Sequence, residues 1–222
     1  MPEDVYYAQL REQTQKRLEK GLDGGPIDPK TIFQEIETAG GHKVELNVVG
    51  IDDQYWTRLA AAKDACQILG VNNINFVMGG SSGGGFAIKF VEIANLVGID
   101  LPNLLGVISL YPPLDEIYDI ENREDTISHK AFLRKYHSIS DDSLLLRTAN
   151  VEVLTRKYPF VKVLIIQGSL DKEVLPESFL QYRRKYKSLE NVKFVFLKNE
   201  GHRTTPAFDR HIHSFLLSSL SP

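Results

Sequence analysis

The sequence predicts an α/β protein with a mostly parallel sheet and helices on both faces. From Lys43 onward, short β-branched apolar runs alternate with longer amphipathic segments, which is typical of βαβ units. The runs are continuous rather than alternating, as expected for strands buried on both faces. With 222 residues, 42% of them hydrophobic, the chain suits one domain with a sizeable core. We therefore expect a three-layer fold, in which a sheet of about five or more strands lies between two layers of helices.

The elements follow in order along the chain. Residues 3–20 combine many charges with a thin apolar stripe and predict a helix, the segment GLDGGPIDP breaks it, and PKTIFQEIE predicts a second short helix. Residues 1–42 are thus an N-terminal helical segment, and residues 43–222 hold the sheet. Strands are predicted at 44–51, 74–78, 103–111, 161–168 and 192–197, and helices at 56–69, 82–97, 175–189 and 206–220. Residues 115–159 contain short helical pieces and no strand, so we expect a cap over a ligand crevice.

The composition restricts the partners and the cellular compartment that we expect for the protein. A formal charge of -3 gives no reason to expect nucleic acid or an anionic membrane as partner. Cys66 is the only cysteine, which excludes an internal disulfide and favours a reducing compartment; its setting predicts a core-facing helix. The charged N-terminus lacks the apolar region of a signal peptide, and no apolar run is long enough to span a membrane. We therefore expect a cytoplasmic protein. No cluster of His, Cys, Asp or Glu has metal-ligand spacing, so we expect no metal, and we expect no cofactor.

The stretch MGGSSGGGF, between a predicted strand and a predicted helix, carries the strongest motif. G-x-S-x-G at such a junction is the nucleophile elbow, where small neighbours let a serine sit on a sharp turn before a helix N-terminus. Gly79 and Gly83 flank Ser81, while Gly80 and Gly84 flank Ser82. The first glycine normally follows the last apolar strand residue, and this register favours Ser81. The N–H of Ser82 then becomes an oxyanion donor.

Other interpretations of this stretch fit less well. A phosphate-binding G-x-x-x-x-G-K-[ST] loop needs a lysine and a hydroxyl at its end, and a dinucleotide loop follows the first strand of its unit. A flexible linker would not be bracketed by a strand and a helix.

A serine nucleophile needs a base and an acid, and both follow in the sequence. Asp171 comes after the strand in VKVLIIQGSLDKEV, and His202 after the strand in VKFVFLKNEGHR. Both lie just past strand ends, so they should gather with Ser81 at one edge of the sheet. Glu173 is the nearest substitute for Asp171.

These segments resemble the α/β-hydrolase superfamily, from about Lys43 to the C-terminus. GGSSGG is similar to the elbow of hormone-sensitive-lipase-like esterases and of prolyl-oligopeptidase-like peptidases. LIIQGSLDKEVLPE and LKNEGHRTTPAF resemble the acid and histidine loops, and VISLYPPLDE resembles a segment of the lipase-like esterases. The resemblance implies Ser81 as nucleophile, His202 as general base and then acid, and Asp171 as the orienting carboxylate. It also implies a small carboxylic ester as substrate.

One family feature is missing from the sequence. The HGGG-type loop that supplies a second oxyanion donor has no counterpart, and the nearest matches, DGGP and GGHK, follow no strand-like run. A shortened family member could use the loop DDQYW after Ile51 or the N-terminal segment; alternatively, the chain is a truncated variant. Three functions stay open: an esterase, a prolyl-oligopeptidase-like peptidase or amidase, and a catalytically impaired binding protein. Missing strands would also expose the sheet edge at 44–51 and favour a homo-oligomer.

Overall fold

A mostly parallel sheet forms the centre of the protein. The computed structural model describes residues 30–37, 41–51, 66–67, 69–96, 98–114 and 151–220, and within them six strands form one sheet in the order β1-β2-β3-β4-β5-β6. The strands are β1 (Lys30–Glu37), β2 (Lys43–Ile51), β3 (Phe76–Gly80), β4 (Gly106–Leu110), β5 (Lys162–Gly168) and β6 (Val192–Leu197). The pair β1 and β2 is antiparallel, and every other neighbouring pair is parallel. The predicted fold class and the strands from residue 44 onward are confirmed.

Helices cover both faces of this sheet. Within the described residues, the α-helices with defined bounds are α1 (Ser82–Leu96), α2 (Val151–Lys157), α3 (Pro176–Tyr186) and α4 (Pro206–Leu220). Cys66, Gln67 and Leu69 are also helical, and a short 3-10 helix spans Val71–Asn73. Side chains of α1, α2 and α3 pack in one hydrophobic cluster, which also contains the buried Cys66. Side chains of α4 pack in a second cluster on the other face. Successive residues of β5 alternate between the two clusters, as the period of two in a strand requires. None of the described helices is long and apolar enough to cross a membrane.

The prediction of a helix for PKTIFQEIE is wrong. Lys30–Glu37 of this segment form β1, which pairs with β2 from Lys30↔Gly50 to Glu37↔Lys43. The two strands are joined across a short glycine-containing connection in which Gly41 has φ +75°, a conformation that glycine adopts without strain. Pairing with a neighbouring strand outweighed the apolar spacing that suggested a helix.

This strand changes two expectations. The edge at 44–51 is not exposed, because β1 pairs with it, so that reason for a homo-oligomer is withdrawn. The segment GGHK does follow a strand, but it connects β1 to the start of β2. The start of β2 lies at the amino end of the parallel strands, whereas Ser81 follows the carboxyl end of the parallel strand β3. The two are therefore at opposite ends of the strands. GGHK is therefore too far away to replace the HGGG-type loop.

Three other predictions fall wholly or largely outside the described residues. The helix at 3–20 lies there completely, and so do most of the helix at 56–69 and most of the cap at 115–159. The last part of the cap segment contains α2, whose Val151 and Leu154 are buried in the same cluster as α1.

Candidate active site

Ser81 occupies a sharp turn between the end of β3 and the start of α1. Its φ is +57°, a left-handed conformation that is rare for residues other than glycine. The turn is held by the N–H of Ser81, which donates to the carbonyl of Leu110 at 3.0 Å, and by the N–H of Gly84, which donates to the carbonyl of Ser81 at 2.8 Å. Such backbone strain persists only where surrounding contacts enforce it, and it is concentrated at functional sites.

Glycines around Ser81 allow other parts of the chain to come close. A Cβ on Gly80 would lie 2.7 Å from the hydroxyl of Tyr111, and one on Gly84 would lie 2.7 Å from the carbonyl oxygen of Leu110. Gly79 and Gly83 are both buried, the first in β3 and the second in the first turn of α1. The glycine-rich sequence is therefore matched to tight packing between the elbow and the end of β4.

The loops after β5 and β6 are joined to each other. The N–H of Leu170 donates to the carbonyl of Glu200 at 2.8 Å, and the N–H of Asn199 donates to the hydroxyl of Ser169 at 2.9 Å. A Cβ on Gly168 would collide with the carbonyl oxygen of Glu200. A glycine at the end of β5 is thus what allows the two loops to touch.

These loops bring Asp171 and His202 to Ser81. Nε2 of His202 lies 2.9 Å from Oγ of Ser81, and Nδ1 lies 2.8 Å from Oδ2 of Asp171. An ionised carboxylate only accepts hydrogen bonds, so the imidazole proton belongs on Nδ1 and Nε2 accepts from the serine hydroxyl. The three side chains, called the Ser–His–Asp cluster below, are those that the sequence singled out. Glu173, the alternative acid, is exposed and donates its backbone N–H to Oδ1 of Asp171.

Asp171 is held in its charged form. Its side chain is fully buried, whereas that of His202 is 19% exposed. Burial raises the pKa of the Asp171 carboxyl, but hydrogen bonds from His202 and from the N–H groups of Val174 and Glu173 outweigh burial and bring the pKa below its ordinary value. The carboxylate is therefore ready to stabilise a protonated imidazole.

Two side chains that sequence reasoning gave no role also contact the cluster. The ring of Tyr111 packs against the ring of His202, and its hydroxyl lies 3.2 Å from that of Thr204. Gln167 donates from Nε2 to Oδ2 of Asp171 at 2.9 Å. Tyr111 directly follows β4, and Gln167 is the penultimate residue of β5. Their position at the carboxyl end of a strand is the sequence feature that could have identified them as site residues.

The start of α1 offers the only predicted oxyanion donor within the described residues. Ser82 is the first residue of α1, so its backbone N–H belongs to the positive end of the helix. The loop DDQYW after Ile51 lies outside the described residues. It leaves β2 at Ile51, which is paired with Gly79 two residues before Ser81. Among the described residues, no group of three or more His, Cys, Asp or Glu side chains could hold a metal ion.

The solved structures of two esterases are among those that resemble the protein along almost its whole length. Acetyl xylan esterase 1 from Thermoanaerobacterium sp. JW/SL YS485 has a TM-score of 0.54 and 13% identity, with 99% of this chain and 95% of that chain covered. An esterase from Pyrobaculum calidifontis has a TM-score of 0.53 and 14% identity, with 98% and 94% covered. No protein-family model and no curated protein matches the chain. Both esterases have the α/β-hydrolase fold, and the likeness confirms that fold here.

Proposed function

We propose that the protein is a serine hydrolase that cleaves carboxylic esters through an acyl-enzyme intermediate. The observation that carries the proposal is the continuous hydrogen bonding from Ser81 through His202 to Asp171, with distances of 2.9 and 2.8 Å. A serine at positive φ, bonded to an imidazole that is itself bonded to a buried carboxylate, is the arrangement that activates a hydroxyl for attack on a carbonyl.

The proposed reaction has two halves, which are the formation of the acyl-enzyme and its hydrolysis. In the first half, Nε2 of His202 takes the proton of Ser81 as Oγ bonds to the ester carbonyl carbon, and the same proton then goes to the leaving alcohol as its C–O bond breaks. In the second half, His202 takes a proton from water, whose oxygen attacks the acyl carbon. That proton returns to Oγ of Ser81 when the carboxylic acid leaves. Asp171 keeps its charge throughout and stabilises the protonated imidazole.

The negative oxygen of each tetrahedral intermediate needs donors. The N–H of Ser82 at the start of α1 supplies one in this proposal. The sequence leaves two sources for a second donor, the loop after Ile51 and the N-terminal segment, and neither that loop nor residues 1–29 belong to the described part of the chain. If no second donor exists, the rate should be about 10²–10³ lower than that of a complete site.

Esters are preferred over amides because both structural neighbours named above are esterases. Within the fold, the segment VISLYPPLDE, which resembles a segment of the lipase-like esterases, favours membership of the hormone-sensitive-lipase-like esterases over the prolyl-oligopeptidase-like peptidases. An amide substrate remains the competing hypothesis, and it differs in demanding protonation of a much poorer leaving group.

Hydrolysis assays on the full chain test this proposal. p-Nitrophenyl acetate and butyrate should be cleaved, and Ser81→Ala should abolish the turnover, whereas Ser82→Ala should retain it because its backbone N–H is unchanged. Turnover of peptide amides without ester turnover would reverse the ranking of substrates. A folded wild type that cleaves neither class would contradict the hydrolase assignment.

A further inference from the structure

Gln167 is a buried polar residue beside Asp171. Its side chain is 0% exposed, and Nε2 lies 2.9 Å from Oδ2 of Asp171 and 3.2 Å from the carbonyl oxygen of Val174. Both neighbours are hydrogen-bond acceptors, so the amide nitrogen must face them. The amide oxygen, Oε1, has no hydrogen-bond partner within the described part of the chain.

The unpaired oxygen makes glutamine a costly choice for filling this space. A buried acceptor without a partner loses its hydration and gains nothing in return. Methionine would occupy a similar volume without that loss. The benefit of glutamine here is therefore its donor, which reaches the same carboxylate oxygen that His202 uses.

We propose that Gln167 is a positioning residue that fixes the Asp171 carboxylate and limits how strongly it holds protonated His202. Oδ1 of Asp171 accepts from the N–H groups of Glu173 and Val174, and Oδ2 accepts from Gln167 and His202. Two donors on each oxygen define both the plane and the rotation of the carboxylate. This inference rests on the proposed hydrolase function, because it assigns a role within the same site.

Removing the Gln167 donor should have two consequences. The carboxylate gains freedom to rotate, so turnover falls. Oδ2 also keeps more of its charge for the protonated imidazole, so His202 holds its proton to a higher pH and the acid limb of the kcat/KM profile moves upward. The other titratable groups next to these residues are unchanged in such a variant: Lys172, Glu173 and Arg203 are exposed, and Tyr111 stays against the His202 ring.

The test compares Gln167→Met with Thr155→Val in the full chain. Thr155 is also buried and polar, but it bonds only to the carbonyl of Glu152 in α2 in its described hydrogen bonds, far in sequence from the cluster. Gln167→Met should lower kcat on p-nitrophenyl acetate about tenfold, the equivalent of one hydrogen bond to a charged group. It should also move the acid limb upward, whereas Thr155→Val should do neither.

A second readout does not depend on turnover. The proton between Nδ1 of His202 and Asp171 should give a low-field NMR signal that Gln167→Met shifts, Asp171→Asn removes and Thr155→Val leaves in place. A wild type without hydrolase activity would contradict the proposed function, whereas the NMR signal would still test the positioning role of Gln167. An unchanged pH profile and an unchanged signal in Gln167→Met would overturn the proposal and leave Gln167 as packing alone.

Gln167→Glu replaces the methionine variant if the latter does not fold. The introduced carboxyl keeps the shape and can donate while protonated, so activity should resemble the wild type at low pH. As pH rises and that carboxyl ionises beside Asp171, activity should fall where the wild type stays active. A wild-type profile in Gln167→Glu would contradict the positioning role.

Discussion

The ring of Tyr111 packs against the ring of His202, with centroids 4.6 Å apart and planes inclined by 55°. Tyr111 has φ +36°, and its hydroxyl lies 3.2 Å from that of Thr204, two residues beyond His202. One side chain thus supports both the imidazole and the loop that carries it. The left-handed backbone at Tyr111 is rare for residues other than glycine, and such strain persists only where surrounding contacts enforce it.

We predict that Tyr111→Leu lowers kcat by up to about tenfold, since aromatic pairs contribute about 0.5–1.5 kcal/mol beyond their buried area. Tyr111→Phe keeps the ring and should have a smaller effect, equal to that of Thr204→Val, because both remove the same hydrogen bond. Steady-state kinetics on p-nitrophenyl acetate measure all three variants. Equal losses in the leucine and phenylalanine variants would show that ring packing has no role.

Gly84 is expected to resist substitution although it lies in a helix. Alanine is a better helix former than glycine by about 1 kcal/mol, yet its Cβ here would lie 2.7 Å from the carbonyl oxygen of Leu110. Overpacking of this kind costs about 1–3 kcal/mol, so Gly84→Ala should lower the free energy of unfolding measured by urea titration. Gly201→Ala is the control, since its nearest neighbour would be 3.8 Å away. Unaltered stability in Gly84→Ala would mean that the elbow is less tightly packed than described.

Asp171 should make stability depend on pH in the acid range. Its folded-state pKa lies below the ordinary value, so its contribution is present above the unfolded-state pKa of about 4 and is lost as pH falls through the folded-state pKa. The free energy of unfolding of the wild type should therefore decline more steeply below about pH 4 than that of Asp171→Asn. Chemical denaturation at a series of pH values measures both slopes. Parallel curves would refute a charged Asp171 in the folded state.

A buried ion pair in α1 provides a prediction about stability away from the site. Nζ of Lys89 lies 2.9 Å from Oε2 of Glu92, and both side chains are almost completely buried. Lys89→Met leaves a buried carboxylate without this partner and should cost about 3–5 kcal/mol. Lys157→Met removes the exposed pair with Asp100, at 3.5 Å, and should cost at most about 1 kcal/mol. Urea titrations of the two variants provide the comparison, and similar losses would contradict the difference in burial.

The sequence predicts which residues belong to the site where those residues come directly after a predicted strand. Buried strands appear as continuous apolar runs, and parallel strands direct their carboxyl ends to one edge, so Ser81, Asp171 and His202 could be grouped before any coordinates. The strand β1 was missed because Ile32, Phe33 and Ile36 have helical spacing, and the pairing that decides the matter involves residues further along the chain. The roles of Tyr111 and Gln167 were missed because they depend on side-chain contacts across loops from different strands.

The identity of the nucleophile is the central claim, and active-site labelling tests it most directly. A fluorophosphonate probe should modify the folded wild type, and mass spectrometry should place the adduct on Ser81. Labelling should disappear in Ser81→Ala and persist in Ser82→Ala, because Oγ of Ser81 lies 2.9 Å from Nε2 of His202. An adduct on Ser82, or labelling that survives in Ser81→Ala, would contradict the account, as would a folded wild type that the probe does not modify.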